Sequence, residues 1–320
     1  MNRVEIQDKD LLNKINGLEK DEMAVFVMAD GRVRGALFHG SRFINQMRVQ
    51  HNCGILETMV LGQGCLCGAL MLPLMKGRER LSWKYEVNGP AEGFSVDVDS
   101  TGAVRAYLFN EHIPVEKPLE SWDLSPFLGE GTVSISTMME HDKEPHISTV
   151  DVHNKNIALD LATYFDKSEQ IHTAFNTGIQ MDKMGRVIGA GGLFLQVMPG
   201  TGGNKEKGAN VTSSSDWDDD EKLLNRVELA FKTAPSLGQW FAEKGTIDDL
   251  LYGLFREFNP KIAVRRNVNY DCPCSKEFYL DYLRRLPESQ LEDLKKTAAD
   301  PLEIVCHNCG SVYQIPFSQI

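Results

Sequence analysis

Four cysteines hold the clearest chemical potential in this chain. Cys272 and Cys274 flank Pro273 in NYDCPCSKEF, and Cys306 and Cys309 stand two residues apart in EIVCHNCGSV. Each pair adjoins a strand-like run and turn residues. Two close pairs brought together supply the four thiolates that tetrahedral zinc takes at about 2.3 Å. The pattern predicts one Zn2+ per chain on Cys272, Cys274, Cys306 and Cys309. A terminal block of about 60 residues has little core of its own, so a structural metal would supply what apolar burial cannot. His307 lies inside the second pair, but four sulfurs suffice and it reads as a surface residue.

The one-residue spacing of the first pair adds a redox possibility. Cysteines at i and i+2 close a disulfide only in a narrow range of backbone geometries. Strained, exposed disulfides are the oxidising, regulatory kind, and metal-held thiolates are the form an oxidant attacks. The pattern permits a switch, with zinc in the reduced chain and two disulfides without zinc in the oxidised one. Cys65-x-Cys67 repeats the spacing inside a helical pattern, where positions two apart point about 200° around the axis. Cys65, Cys67 and also Cys53 therefore read as small core residues.

Other constellations are weak. GAGG at Gly189–Gly192 fits neither a dinucleotide fingerprint nor a P-loop and reads as a strand bend, and TGGNKEKG lacks the Walker ending. Ser168 with His172, and Ser148 with His146, lack a nucleophile elbow. The acids of DWDDDE read as a solvated cap region. A rival reading keeps the zinc purely structural and places a thiol oxidoreductase or hydrolase activity on the amino-terminal domain.

The elements that must position the sulfurs are legible in outline. The chain has 320 residues, 42% hydrophobic and 25% charged, which is ordinary for a globular protein. Its formal charge of −11 disfavours nucleic acid as a partner. The start lacks an apolar signal region, and the odd cysteine count of 7 is unlike a secreted scaffold, so a reducing cytoplasm is expected. The apolar stretch Ile55–Met75 contains Glu57, Gln63 and Pro73 and lacks membrane anchors, so it reads as a buried core helix and no membrane is expected.

Alternating runs predict an α+β fold on antiparallel sheets. Asp30-Gly31 turns a hairpin, Ser41 begins a helix as its cap, and runs at Leu81–Val87, Phe94–Val98 and Val104–Leu108 form a meander. GTVSISTM and HISTVDV add two strands, and NIALDLATYF a helix. Pro199 opens a Gly/Ser/Asp-rich stretch that reads as a mobile loop or boundary. Apolar stripes follow at Leu223, Leu224, Val227 and Phe231, at Leu237, Trp240 and Phe241, and at Ile247, Leu250, Leu251, Leu254, Phe255 and Phe258. Thr246 with Asp249 caps the third. The expected organisation is an α+β core with packed helices over residues 1–199, a loop and helical linker over 200–260, and a small zinc-binding domain over 261–320.

YDCPCSKEF with VCHNCGSVY resembles the carboxy-terminal zinc module of the 33-kilodalton heat-shock proteins, the redox-regulated holdase chaperones of bacteria. YFDKSEQIHTAF, GAGGLFLQVMPG and GPAEGFSVDVDSTGAVRAYLFN resemble three further signatures, so the likeness runs essentially end to end. His172 stands where the family signature usually has proline, and Cys53, Cys65 and Cys67 are extra cysteines. The resemblance implies a non-enzymatic, ATP-independent chaperone whose reduced, zinc-bound form is inactive. Oxidation would join Cys272 to Cys274 and Cys306 to Cys309, release zinc and loosen the module and the adjacent linker. Client proteins that are unfolding or aggregating would meet the exposed stripes, for which Leu223, Leu224, Phe231, Trp240, Phe241, Leu250, Leu254, Phe255 and Phe258 are the candidates. The active form would be a homodimer.

Overall fold

The structure, a computed structural model, describes residues 1–115, 121–198 and 214–320. The stretch from Pro199 read as a mobile loop lies outside them up to residue 213. Helix α1 (Lys9–Asn16) precedes the hairpin β1 (Glu22–Met28) and β2 (Val33–His39), then α2 (Ser41–Gln50) and α3 (Ile55–Leu70). The meander β3 (Arg80–Val87), β4 (Gly93–Asp99) and β5 (Ala103–Leu108) leads to α4 (Ser125–Leu128). Strands β6 (Gly131–Met138) and β7 (His146–Val152), helix α5 (Ile157–Tyr164) and the hairpin β8 (Thr173–Met181) and β9 (Val187–Val197) follow. Three helices come next, α6 (Ser214–Lys232), α7 (Leu237–Ala242) and α8 (Ile247–Leu254). The end of the chain comprises β10 (Lys261–Arg266), β11 (Asn269–Tyr270), α9 (Lys276–Leu283), α10 (Glu288–Thr297), β12 (Leu302–Val305) and β13 (Val312–Ile315).

The architecture is α+β on sheets paired antiparallel everywhere except between β11 and β5. The first sheet has the order β10-β1-β2-β9-β8, and the second β11-β5-β4-β3-β6-β7. Helix α3 packs between them, with Cys65 and Cys67 fully buried in its core. With the short turn after it, the stretch Ile55–Leu74 is long and apolar enough to cross a membrane, yet 83% of its most apolar 18 residues are buried inside the fold. Phe94, Val96, Trp83 and Tyr85 close over α3 from one side, and Phe38, Ile44 and Phe194 from the other.

The opposite face of the first sheet carries a second core. Phe26, Leu37, Leu193 and Leu195 of the sheet pack there with Val227 of α6, Leu237 and Phe241 of α7, and Leu251 and Phe255 of α8 and its C-terminal end. Two-sided burial explains why β2 and β9 read as near-continuous apolar runs rather than clean alternations. The first two strands of the terminal block belong to the large sheets: β10 pairs along β1, Met23 opposite Arg266, and β11 pairs along β5, whereas β12 and β13 pair only with each other.

Two local expectations are corrected. Ser41 does not cap α2. Its hydroxyl lies 2.8 Å from His39 Nε2 and accepts from the Ala190 amide at 3.0 Å. The capping falls to Asp21, whose carboxylate accepts from the Arg42 and Phe43 amides at 3.1 and 2.7 Å. The GAGG run is no bend either. It lies inside the unbroken strand β9, paired along β8 throughout and along β2 at Gly191 and Gly192, and its glycines admit a helix at close range.

Asp160 shows how much one buried polar group can hold. It is fully buried and accepts from Tyr85 Oη at 2.7 Å, from the Asn154 amide at 2.9 Å and from Asn154 Nδ2 at 2.9 Å. Asp160→Ala is expected to destabilise the fold by about 3 kcal/mol or more, since each stranded donor costs roughly 1–3 kcal/mol. A denaturant melt with an unchanged midpoint would contradict this.

Candidate metal centre

The sulfur pairs arrive from two different pieces of backbone. The Asn269 amide donates to Gly102 O at 3.0 Å and the Asp271 amide to Val104 O at 2.9 Å, which lays β11 along β5. That pairing delivers Cys272 and Cys274, and Ser275 then caps α9 by accepting from the Phe278 amide at 3.1 Å. The second pair sits in the turn between β12 and β13, where the Gly310 amide donates to Cys306 O at 2.7 Å and the Cys306 amide to Ser311 O at 2.8 Å. Gly310 has φ +67°, and a Cβ there would stand 2.7 Å from Gln50 O, so the turn needs glycine twice over.

The four sulfurs are all buried and lie within 4.8 Å of one another. Among the described residues this is the one cluster of metal-ligating side chains so assembled. Cys272 Sγ stands 3.9 Å from Cys306 Sγ, and Cys274 Sγ 3.4 Å from Cys309 Sγ. Four ligands about 2.3 Å from one ion in a tetrahedron stand roughly 3.8 Å apart, so the residues fit a four-coordinate ion. Hydrogen bonds from Cys272 and Cys309 push the Cys306 thiol far down, while the same contact with Cys306 raises Cys272. A bound cation deprotonates coordinating thiols outright.

Groups from the rest of the molecule close around the sulfurs. Arg105 Nη1 reaches Cys272 Sγ at 3.5 Å. Tyr313 Oη donates to Cys274 O at 3.0 Å and lies 3.2 Å from Cys274 Sγ. The Cys309 thiol donates to Ser311 Oγ at 3.2 Å, and Ser311 Oγ donates to Asn2 O at 3.0 Å. Gln50 Nε2 donates to the same Asn2 carbonyl at 3.0 Å, so residue 2 bridges α2 and the cysteine turn. Beneath them the Tyr270 hydroxyl lies 3.0 Å from Ala106 O and 2.6 Å from His51 Nε2. Burial depresses His51 to about 4, which keeps that ring neutral near pH 7. His307 is exposed and rests on Tyr107 with ring centroids 3.9 Å apart. Apart from Cys309 with Ser311, these outer contacts join positions far apart in the chain, and none of those was legible in the sequence.

The candidate client residues are covered here. Phe241, Leu250, Phe255 and Phe258 are buried, and Leu223, Leu224, Phe231, Trp240 and Leu254 are half-buried. All but Leu224 belong to or border the core on the outer face of the first sheet. Thr246 caps α8 as its spacing predicts, accepting from the Asp249 amide at 3.0 Å. The serine–histidine pairs do not assemble: Ser148 and Ser168 bond each other at 2.6 Å, and His172 faces Asp166 at 3.2 Å.

Fold and site together define an α+β protein carrying, at its C-terminal end, a buried four-cysteine centre fit for a metal ion. Residues 21–316 match the family described as Hsp33 protein. Curated relatives named 33 kDa chaperonin, from Bacillus cereus (strain AH187) and Bacillus anthracis (strain A0248), are each 25% identical over 92% of this chain and 95% of their own length. The crystal structure of 33 kDa chaperonin from Thermotoga maritima superposes with a TM-score of 0.77 at 26% identity, covering 94% of this chain and 96% of that one. The chain belongs to the Hsp33 protein family, a family of chaperones.

Proposed function

We propose that this chain is a redox-regulated, ATP-independent holdase of the cytoplasm, inactive when reduced and bound to one Zn2+ through Cys272, Cys274, Cys306 and Cys309. The observation that carries the reading is the sulfur cluster itself: four buried thiols within 4.8 Å, contributed by two backbone segments with little other reason to meet. Bound there, zinc would hold the four sulfurs as thiolates and cross-link the β11 segment to the β12–β13 turn. A hydroperoxide is the oxidant class that suits them. With hydrogen peroxide, each pair of thiolates loses two electrons to form one disulfide, while the O–O bond breaks and its two oxygens, taking up two protons, leave as two waters.

Pairing within each short spacing, Cys272 with Cys274 and Cys306 with Cys309, uncouples the two segments, whereas Cys272 with Cys306 would weld them. The reading therefore requires the local pairing. Strand β10 is the edge strand of the first sheet and is joined to β11 in the chain, so loosening β11 frees the C-terminal end of the strand that follows α8. Exposure of the linker stripes then offers Leu, Phe and Trp surface to unfolding clients. We assign the active form as a homodimer.

The test combines three readouts in one sample. The reduced protein is warmed with hydrogen peroxide, zinc release is followed with a chromogenic chelator, and light scattering of a denaturing client is recorded. Peptide mapping of the disulfides reports the pairing. Cys272→Ser is expected to lose tight zinc binding and to suppress client aggregation without oxidant. A variant that keeps full zinc and stays inert toward clients would overturn the proposal.

A further inference from the structure

One contact at the sulfur centre comes from β5 of the second sheet and carries charge. Arg105 lies on β5 between the buried residues Val104 and Ala106, so its side chain leaves the core face. Asp97 stands directly opposite it on β4. One carboxylate oxygen, Asp97 Oδ2, accepts from a fork of two guanidinium donors, Nε at 2.9 Å and Nη2 at 2.8 Å. That fork fixes the guanidinium plane and leaves Nη1 to point elsewhere. Nη1 meets Cys272 Sγ at 3.5 Å. The parallel pairing of Tyr270 with Val104 sets Cys272 two residues beyond the paired position, where Arg105 can reach it.

From this geometry we propose that Arg105, oriented by Asp97, is a positioning residue of the sulfur centre that secures its metal and slows its oxidation. The proposal rests on the reading that the four sulfurs hold an ion. Four thiolates around a divalent ion leave two negative charges, in a chain whose formal charge is already −11. An N–H donor on one thiolate draws off part of that excess, and such outer contacts tune metal sites as strongly as many ligands do. In the metal-bound state the sulfur is already ionised, so the donor's effect is on its lone pair. Attack on a hydroperoxide forms an S–O bond as the O–O bond breaks and hydroxide leaves. A lone pair engaged by Arg105 is less available for that step. A cavity of about 550 Å³ opens at this corner, lined by Arg105, Asp97, Asp271 and Pro273 among others. A small oxidant entering by it meets Arg105 first at the Cys272 side.

The competing explanation is a cross-strand ion pair that serves the sheet alone. Spectroscopy separates the two. The full-length reduced chain is loaded with Co2+ in place of zinc, and the sulfur-to-cobalt charge-transfer band is compared among wild type, Arg105→Gln, Arg105→Lys and Asp97→Asn. Removing the donor is expected to move the band to lower energy in Arg105→Gln. Chelator competition should show that variant's zinc affinity reduced by about 10-fold or more, and peroxide should release its zinc several-fold faster. Arg105→Lys restores the charge without the fork and should recover only part of each effect. Asp97→Asn frees the guanidinium and should shift all three readouts in the Arg105→Gln direction. A wild-type chain that binds cobalt, with band, affinity and release rate unchanged in Arg105→Gln and Asp97→Asn, overturns the inference alone. A wild-type chain that takes up neither cobalt nor zinc sinks the inference and the proposed function together.

Discussion

Chelating the metal from the reduced chain is expected to unfold α9 through β13 while both large sheets stay protected. The terminal block has almost nothing else to hold it. Apart from the cysteines, its buried side chains beyond β11 are Leu283, Ser311, Tyr313 and Ile315, and α10 buries none. Burying a large apolar side chain contributes about 1.5–3 kcal/mol, whereas each ordered residue costs roughly 1.5 kcal/mol. A structural zinc contributes on the order of 10–16 kcal/mol in small metal domains, so a zinc held by the four sulfurs would be the dominant favourable contribution to this block. Hydrogen exchange is the measurement. Amides of Tyr279 and Tyr313 should lose protection by about a thousand-fold, equivalent to roughly 4 kcal/mol, while those of Trp83 and Phe194 stay slow. Unchanged exchange at Tyr313 after complete metal removal would defeat the expectation.

A second large effect is expected without touching a cysteine. Helix α7 lies backbone to backbone on the first sheet. A Cβ on Gly238 would stand 2.5 Å from Gln180 N and 2.7 Å from Ile179 C, and a Cβ on Gly178 would stand 2.7 Å from Gly238 N. Gly189 abuts Gly238 O in the same way. Phe241 then stacks on His39 with centroids 4.4 Å apart and an interplanar angle of 13°. Burial depresses His39 to about 4, so the partner ring is neutral at pH 7. Backbone cannot rotate out of the way as a side chain can, and overpacking typically costs about 1–3 kcal/mol. A helix of α7's length has no stability of its own. Gly238→Val should therefore expel α7 from the reduced protein with metal content unchanged. Protease should cut near residues 233–245, and aggregation of a client should be suppressed without peroxide. Gly253→Val is the control, because nothing lies within 4 Å of a Cβ there. A reduced Gly238→Val protein as inert and protease-resistant as wild type would refute this route to activity.

The sulfur centre was legible because its ligands come in two short-range pairs, each beside turn residues that local spacing reveals. The hairpin at Asp30-Gly31, the meander and the Thr246 cap were legible for the same reason: each is decided within a few residues. What could not be read is what the long-range packing decides. Ser41 has the right type and place for a cap, but His39 and Ala190 claim its hydroxyl, and Asp21 comes from 21 residues before Arg42 to replace it. The glycines of β9 carry no periodic signal for a helix that lies on them. Arg105 is one charged residue in an alternating strand until β11 brings Cys272 to it.

The placement of β10 has a consequence for how undocked helices would return to the sheet. Strands β9 and β10 belong to one sheet, so α6–α8 form an excursion whose two roots, Val197 and Lys261, are planted in the same slab. Undocking the helices while both roots hold yields a tethered bight rather than a dangling tail. Closing such a loop again has an entropy cost that grows only logarithmically with its length, so the helices can find their seat quickly once the bound passenger has left.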